Sequence, residues 1–345
     1  MTLLGHTFSL ESVCWSPNGK QLASSSLDGT CRIWDVERGE CAFVMSGEES
    51  KPTTQEAFAP KQASSKSKYV CELPDVSWNP KHDFIAMSCS TNSTNRGKII
   101  WNPNSGELVA KLSRDAETES VEFTADGRRL ILGDNRGTCA VLDTDTWKTQ
   151  FEFEAHRGTV KSIAANPNNS SFATCGTDGA IHIWSLTDAH KLSTLNGHDV
   201  SVNSIAWDPT GRQLVSGSSD HRVKIWNVAE SRAYNRISID SEKASTIDWE
   251  PSPLRLRCTT NEGTVASLDI KSGLVEKITT EHSWFISEKH QMKQGLPPIS
   301  NLQRRTKLRN LNSLSTRNPV SASMDFVGRP TELKLPLLVT LAIPC

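Results

Sequence analysis

Three stretches of this chain repeat one set of residues at one spacing. A chain that does so is built from repeated units, and the unit must be read before any single side chain. His6, Asp28 and Trp34 return as His156, Asp178 and Trp184, and again as His198, Asp220 and Trp226, with the Asp 22 and the Trp 28 residues after the His each time. A hydroxyl stands four residues before every Asp, at Ser24, Thr174 and Ser216. The Trp position then runs through the chain, because Trp34, Trp101, Leu142, Trp184, Trp226 and Leu268 lie 67, 41, 42, 42 and 42 residues apart. A second marker closes "SVCW", "DVSW", "SVEF", "SIAA", "SIAW" and "TIDW", at Trp15, Trp78, Phe123, Ala165, Trp207 and Trp249. Both markers count six units, with one insertion of about 25 residues in the second. A period near 42 accommodates four short strands and their turns.

Each unit reads as strands. In the first, Leu10 to Trp15 is followed by the turn Pro17-Asn18-Gly19, then Gln21 to Ser25, a turn at Asp28-Gly29, Cys31 to Trp34, and Cys41 to Met45. Asn-Gly and Asp-Gly favour tight hairpins because both central residues reach positive φ at little cost. The runs "HIWSL" (182–186) and "KIWNV" (224–228) alternate too little to face water on one side, so those strands are expected to be covered on both faces. No helical apolar period competes within residues 1–282. The expected fold class is all-β.

The pattern "GH … S … D … IWD" in a 42-residue unit resembles the WD-repeat β-propeller family, over about 280 of the 345 residues. The match is specific in units one, four and five. It is weaker in units two, three and six, which lack the Gly-His pair. The resemblance implies a ring of four-stranded blades around a central channel, with six recognisable blades and a seventh absent or degenerate. It also implies that His6, Ser24, Asp28 and Trp34, His156, Thr174, Asp178 and Trp184, and His198, Ser216, Asp220 and Trp226 are structural tetrads linking the strands of a blade. Physical chemistry points the same way, since a buried Asp is tolerable only when paired, and a His and a hydroxyl stand at fixed distance from it. A hydrolytic triad built from the same residue types would occur once, in a cleft, whereas this chain holds three sets at structural spacing. No catalytic residue, metal ligand set or cofactor loop is expected; "GDNRG" (133–137) lacks the Lys and spacing of a phosphate cradle.

Composition bounds the rest. With 38 basic and 39 acidic residues the formal net charge is −1, which gives the whole molecule no pull towards nucleic acid or membrane. The nine cysteines form no CxxC pair and no zinc spacing, and Cys14, Cys31 and Cys139 are expected as small core residues. An odd cysteine count without a basic leader fits a reducing compartment, cytoplasmic or nuclear. Residues 1–282 are expected to form the propeller, with a polar, mobile loop at 46–70. Residues 283–345 are expected to be a basic, flexible tail carrying nine basic residues against three acidic. Members of the family usually close the ring by letting N-terminal residues supply the outer strand of the last blade. Here only Met1 to Leu4 precede Gly5-His6. Three alternatives follow: a degenerate seventh blade from the tail, an open or six-bladed array, or a truncated or alternatively ended form of a longer protein. The unpatterned tail favours the third.

With no chemistry-bearing site, the expected function is a non-catalytic protein–protein interaction scaffold, a subunit of a multiprotein complex whose partners are other proteins. One alternative is a subunit of an RNA-processing or other RNA-associated complex, with the basic tail on nucleic acid. Another is a ubiquitin-ligase substrate adaptor, which the register of Trp34-Asp35-Val36-Glu37-Arg38 weakens, since the Arg stands one place late. Apolar positions step oddly from Leu10 to Val13, Val160 to Ile163 and Val202 to Ile205, which implies a bulge at each strand start. By the resemblance, the residues there and before each tetrad Asp line the top rim where partners dock: Ser9, Glu11, Leu27, Thr159, Lys161, Thr177, Ser201, Asn203 and Ser219.

Overall fold

The computed structural model describes residues 2–8, 10–46, 75–88, 97–113, 116–239, 243–249, 255–260, 265–270, 272, 275–278, 320–325 and 338–343. Strand β1 (Thr2–Leu4) leads into the first blade, made of β2 (Leu10–Trp15), β3 (Gln21–Ser26), β4 (Thr30–Asp35) and β5 (Glu40–Ser46). Blade 2 holds β6 (Val76–Trp78), β7 (Ile85–Met87), β8 (Gly97–Trp101) and β9 (Leu108–Ser113). Blade 3 holds β10 (Thr118–Phe123), β11 (Arg129–Asp134), β12 (Thr138–Asp143) and β13 (Thr149–Glu154). Blade 4 holds β14 (Val160–Ala165), β15 (Ser171–Gly176), β16 (Ile181–Ser185) and β17 (Lys191–Leu195). Blade 5 holds β18 (Val202–Trp207), β19 (Gln213–Ser218), β20 (Arg222–Asn227) and β21 (Arg232–Ser238). Blade 6 holds β22 (Ala244–Trp249), β23 (Arg255–Thr260), β24 (Val265–Asp269) and β25 (Val275–Ile278).

Each blade is one antiparallel sheet whose strands pair in chain order, here termed a, b, c and d from the channel outwards. The six sheets form a ring, a six-bladed β-propeller, in which the a strand of every blade packs beside that of the next from β2 through β22. No helix occurs among the described residues. The hairpin glycines take the conformation their turns demand: Gly19 sits at φ 65° and Gly29 at φ 79°. β16 is buried along its whole length, and β20 is buried over its central four residues, as their two-sided apolar runs require.

Two irregularities recur. The a–b register slips at the strand start, between Leu10 and Ser12, Thr118 and Ser120, Val160 and Ser162, Val202 and Ser204, and Ala244 and Thr246. These are the bulges that the odd apolar step predicts. A second slip falls between c and d in blades 1 to 5, just before the Trp or Leu that recurs from unit to unit.

The core lies between blades rather than within one. Met45 of β5 packs with Val76, Trp78, Ile85, Met87 and Trp101 of blade 2, and Leu195 of β17 packs with Val202, Ile205, Leu214 and Trp226 of blade 5. Each such side chain, fully buried, contributes about 1.5–3 kcal/mol. Polar latches add direction: Asn79 Nδ2 donates to Gly127 O of blade 3 (2.8 Å), and Asn166 Nδ2 donates to Gly211 O of blade 5 (3.0 Å).

Beyond the six blades, β26 (Val320–Asp325) and β27 (Leu338–Ile343) pair antiparallel, and β1 joins β27 in parallel, giving a seventh sheet of three strands. The remainder of 283–345, and the polar insertion apart from Ser46, lie outside the described residues.

Candidate protein-interaction surface and its hydrogen-bonded frame

In blade 1, His6 bonds Asp28 through Nδ1 (2.9 Å) and Ser24 Oγ through Nε2 (2.7 Å), while Trp34 Nε1 donates to Ser24 Oγ (2.8 Å). Blade 4 repeats this with His156, Asp178 (2.9 Å), Thr174 (2.8 Å) and Trp184 (2.9 Å). Blade 5 repeats it with His198, Asp220 (2.7 Å), Ser216 (2.7 Å) and Trp226 (2.8 Å). One proton arrangement satisfies every atom: the indole N–H donates to the hydroxyl oxygen, the hydroxyl donates to Nε2, and Nδ1–H donates to the carboxylate. Burial lowers all three imidazole pKa values against the pull of the carboxylates, so the rings are neutral at pH 7. Burial works to raise the three carboxyls too, but the imidazoles and the backbone N–H groups of Thr7, Arg157 and Asp199 outweigh it and hold them below the usual range. Those N–H groups belong to the segment between the tetrad His and the a strand that follows it. Each Asp therefore ties a b–c turn to the segment beside it, and this frame holds the two in place.

Two residues before each tetrad Trp stands an ionisable side chain that sequence reasoning passed over. Lys224 is fully buried, donates to Gly197 O, and lies 4.0 Å from Asp220. Arg32 is 8% exposed and stacks over Trp34. His182 lies against His156 with ring centroids 4.8 Å apart, and burial, with the neighbouring His156 and Lys191, pushes its pKa down to about 4.

Blade 2 lacks this network. Met87 occupies the place of the hydroxyl, and Trp101 Nε1 has no hydrogen-bond partner among the described residues. In blade 3, Leu132 and Leu142 replace hydroxyl and Trp, an apolar pair that needs no partner.

The nine rim positions divide. Lys161 reaches out, its side chain 39% exposed and 3.9 Å from Glu119, and Thr177 is exposed. Leu27, Thr159, Ser201, Asn203 and Ser219 are half-buried. Glu11 is only 9% exposed. Asn203 is held from within, because its Nδ2 donates to Ser219 Oγ (3.0 Å) and to Ala244 O of blade 6 (2.7 Å). Thr159 Oγ1 donates to Asn135 O (3.3 Å). Ser9 lies outside the described residues. Phe8 (49% exposed) and Val200 (45% exposed) were not anticipated. Both stand two residues after a tetrad His, and that shared apolar position was the available signal.

The channel wall carries acids. Asp75 accepts from Ser12 Oγ of blade 1 (2.8 Å) and from Ser120 Oγ (3.1 Å) and Val121 N (2.9 Å) of blade 3, so one carboxyl stitches three blades. Burial, with the charges of Asp75 and of Asp248 in blade 6, pushes Glu122 up to about 8. Partial desolvation pushes Asp248, an exposed side chain on β22, up to about 6.

A ring of four-stranded blades, framed by repeated His–hydroxyl–Asp–Trp networks, defines a class. The chain is a six-bladed β-propeller with WD repeats in blades 1, 4 and 5. A family model described as "WD domain, G-beta repeat" matches residues 1–35, 147–185 and 189–227, the stretches that carry the three full tetrads. Similar proteins include "THO complex subunit 3" of Arabidopsis thaliana, 28% identical over 56% of this chain and 55% of that protein. "WD40 repeat-containing protein HOS15" of Arabidopsis thaliana is 33% identical over 57% of this chain and 30% of that protein. "Target of rapamycin complex subunit wat1" of Schizosaccharomyces pombe is 26% identical over 54% of each. The chain spans about half the length, or less, of these relatives.

Proposed function

We propose that this protein is a non-catalytic interaction scaffold, a WD-repeat subunit of a multiprotein complex in the cytoplasm or nucleus. It would dock protein partners on the rim that carries Lys161, Thr177, Phe8 and Val200. One observation carries the reading: in each complete tetrad the His, hydroxyl and Asp are satisfied by one another, so the residue types that could do chemistry serve instead to fix rim loops. Two relatives are named as complex subunits, which supports the same role here. Exposed Phe8 and Val200 give the rim the apolar points that protein partners bury.

Lys161→Glu combined with Thr177→Arg tests this. Both side chains project from the frame, and exposed substitutions change stability by less than about 0.5 kcal/mol, so binding and folding separate. The double variant is expected to melt like the parent and to lose co-purifying proteins, with nuclease treatment making no difference. The rival reading, in which Arg304, Arg305, Lys307 and Arg309 contact RNA, expects the reverse. Partners lost after nuclease, with the rim variant still binding, would sink the scaffold proposal.

A further inference from the structure

Two Asn-Gly pairs stand in this chain, Asn18-Gly19 and Asn196-Gly197, and the fold treats them differently. In such a pair the glycine amide nitrogen can reach the carboxamide carbon before it, because no side chain shields it. The attack needs a free amide N–H and a carboxamide able to turn. Blade 1 denies both. Gly19 N donates to Ser16 O (2.8 Å), while Asn18 Oδ1 accepts from Ser16 Oγ (2.8 Å) and from Lys20 N (2.9 Å).

Asn196-Gly197 lies between β17 and His198, and both of its residues are exposed. Neither the Asn196 carboxamide nor Gly197 N has a hydrogen-bond partner among the described residues. What is anchored is Gly197 O, which accepts from Lys224 Nζ. That ammonium also favours the anion that forms on Gly197 N as it attacks.

We propose that Asn196-Gly197 is a site of spontaneous covalent modification. Gly197 N loses its proton and bonds to Asn196 Cγ. The C–N bond of the carboxamide breaks, and its nitrogen takes up a proton and leaves as ammonia. A five-membered imide remains, and water opens it at one of its two carbonyl carbons. Attack at Cγ gives aspartate. Attack at the main-chain carbon gives isoaspartate, in which the chain runs on through the side-chain methylene.

Isoaspartate at this place reaches into blade 5. The added carbon lengthens the chain just before Gly197, so Gly197 O and His198 shift together. Gly197 O is the acceptor for the buried Lys224, and His198 Nδ1 and Asp199 N hold Asp220 at 2.7 and 3.4 Å. A shift there leaves a buried ammonium without its acceptor and loosens the tetrad. Aspartate adds only a charge on an exposed side chain and leaves those contacts alone.

The test ages the full chain in mildly alkaline buffer and follows each asparagine by mass spectrometry of proteolytic peptides. Asn196 is expected to become an acid at least about tenfold faster than Asn18, whose pair must open locally first. In guanidinium chloride, where neither pair is folded, the two are expected to convert at similar rates. An isoaspartyl methyltransferase with its methyl donor is expected to label the peptide that holds residue 196. The same peptide from aged Asn196→Gln is expected to stay unlabelled, since the longer side chain closes its ring far more slowly. The isoaspartyl fraction is expected to melt below the parent, and Asn196→Asp, which adds the charge without the extra carbon, to melt like it. Conversion at 196 no faster than at 18 in the folded chain would overturn the proposal, as would a gap of the same size in guanidinium chloride. An isoaspartyl fraction that melts like the parent would overturn its link to blade 5.

Discussion

At the scale of single residues, the weight of the tetrad lies in satisfying a buried indole. Trp226 and Trp101 are 1% and 2% exposed and sit at the same place in their blades, yet only Trp226 donates to a hydroxyl. Replacing either by Phe removes similar volume, but Trp226→Phe also leaves Ser216 Oγ without its donor. Trp226→Phe is therefore expected to cost about 1 kcal/mol more than Trp101→Phe. Urea unfolding of the two variants checks this, and equal losses would show that the hydroxyl contributes nothing. The three tetrads were legible in the sequence because His, hydroxyl, Asp and Trp belong to one 42-residue unit and keep their spacing whatever surrounds them. Met87 behind Trp101 was not, since the insertion breaks the count in blade 2 and only strand register shows which residue faces the indole.

At the scale of elements, blades are joined by contacts that no single unit contains. Gly211, at φ 67°, is approached by Asn166 Oδ1 of the preceding blade, which lies 2.2 Å from the place a Cβ would take. Gly211→Ala meets both a strained backbone and the Asn166 amide, which is held in place by its Nδ2 donating to Gly211 O. The expected loss is at least about 1 kcal/mol, read as a lower thermal midpoint. An unchanged midpoint would mean the blade 4–blade 5 latch is slack. The strand-start bulges were readable beforehand from the odd apolar step, because alternation is a local property. That Asn203 would be drawn inward was not readable, because its partner Ala244 lies in the next blade.

At the scale of the whole molecule, the channel gathers acids from separate blades. Glu122 of blade 3 is held at about 8 by burial and by Asp75 and Asp248. Its folded value lies above its ordinary 4.5, so the folded state prefers the protonated carboxyl. The stability this group contributes is complete below pH 4.5 and is lost as pH rises through 8. Glu122→Gln cannot ionise, so its melting temperature is expected to match the parent near pH 4.5 and to exceed it by a growing margin up to pH 8. A margin that stays flat across that range would show the channel carboxyl to be solvated like any surface acid.

The sequence by itself determined the unit, its four strands, its turns and its internal hydrogen-bond set. All of these depend on residues within about 42 positions of one another and on backbone preferences carried by each residue. Only the tertiary structure decided which polar groups meet across blades. Asp75 bonds to Ser12 and Ser120, 63 and 45 residues away, and no spacing rule reaches across an insertion. It also decided what becomes of Thr2–Leu4, ahead of Gly5. Their shortness says nothing about pairing, whereas the burial of Leu3 against blade 1 and the parallel register with β27 place them as the outer strand of a seventh sheet. Strand direction is a property of neighbours in space, and a chain states its neighbours only once it has folded.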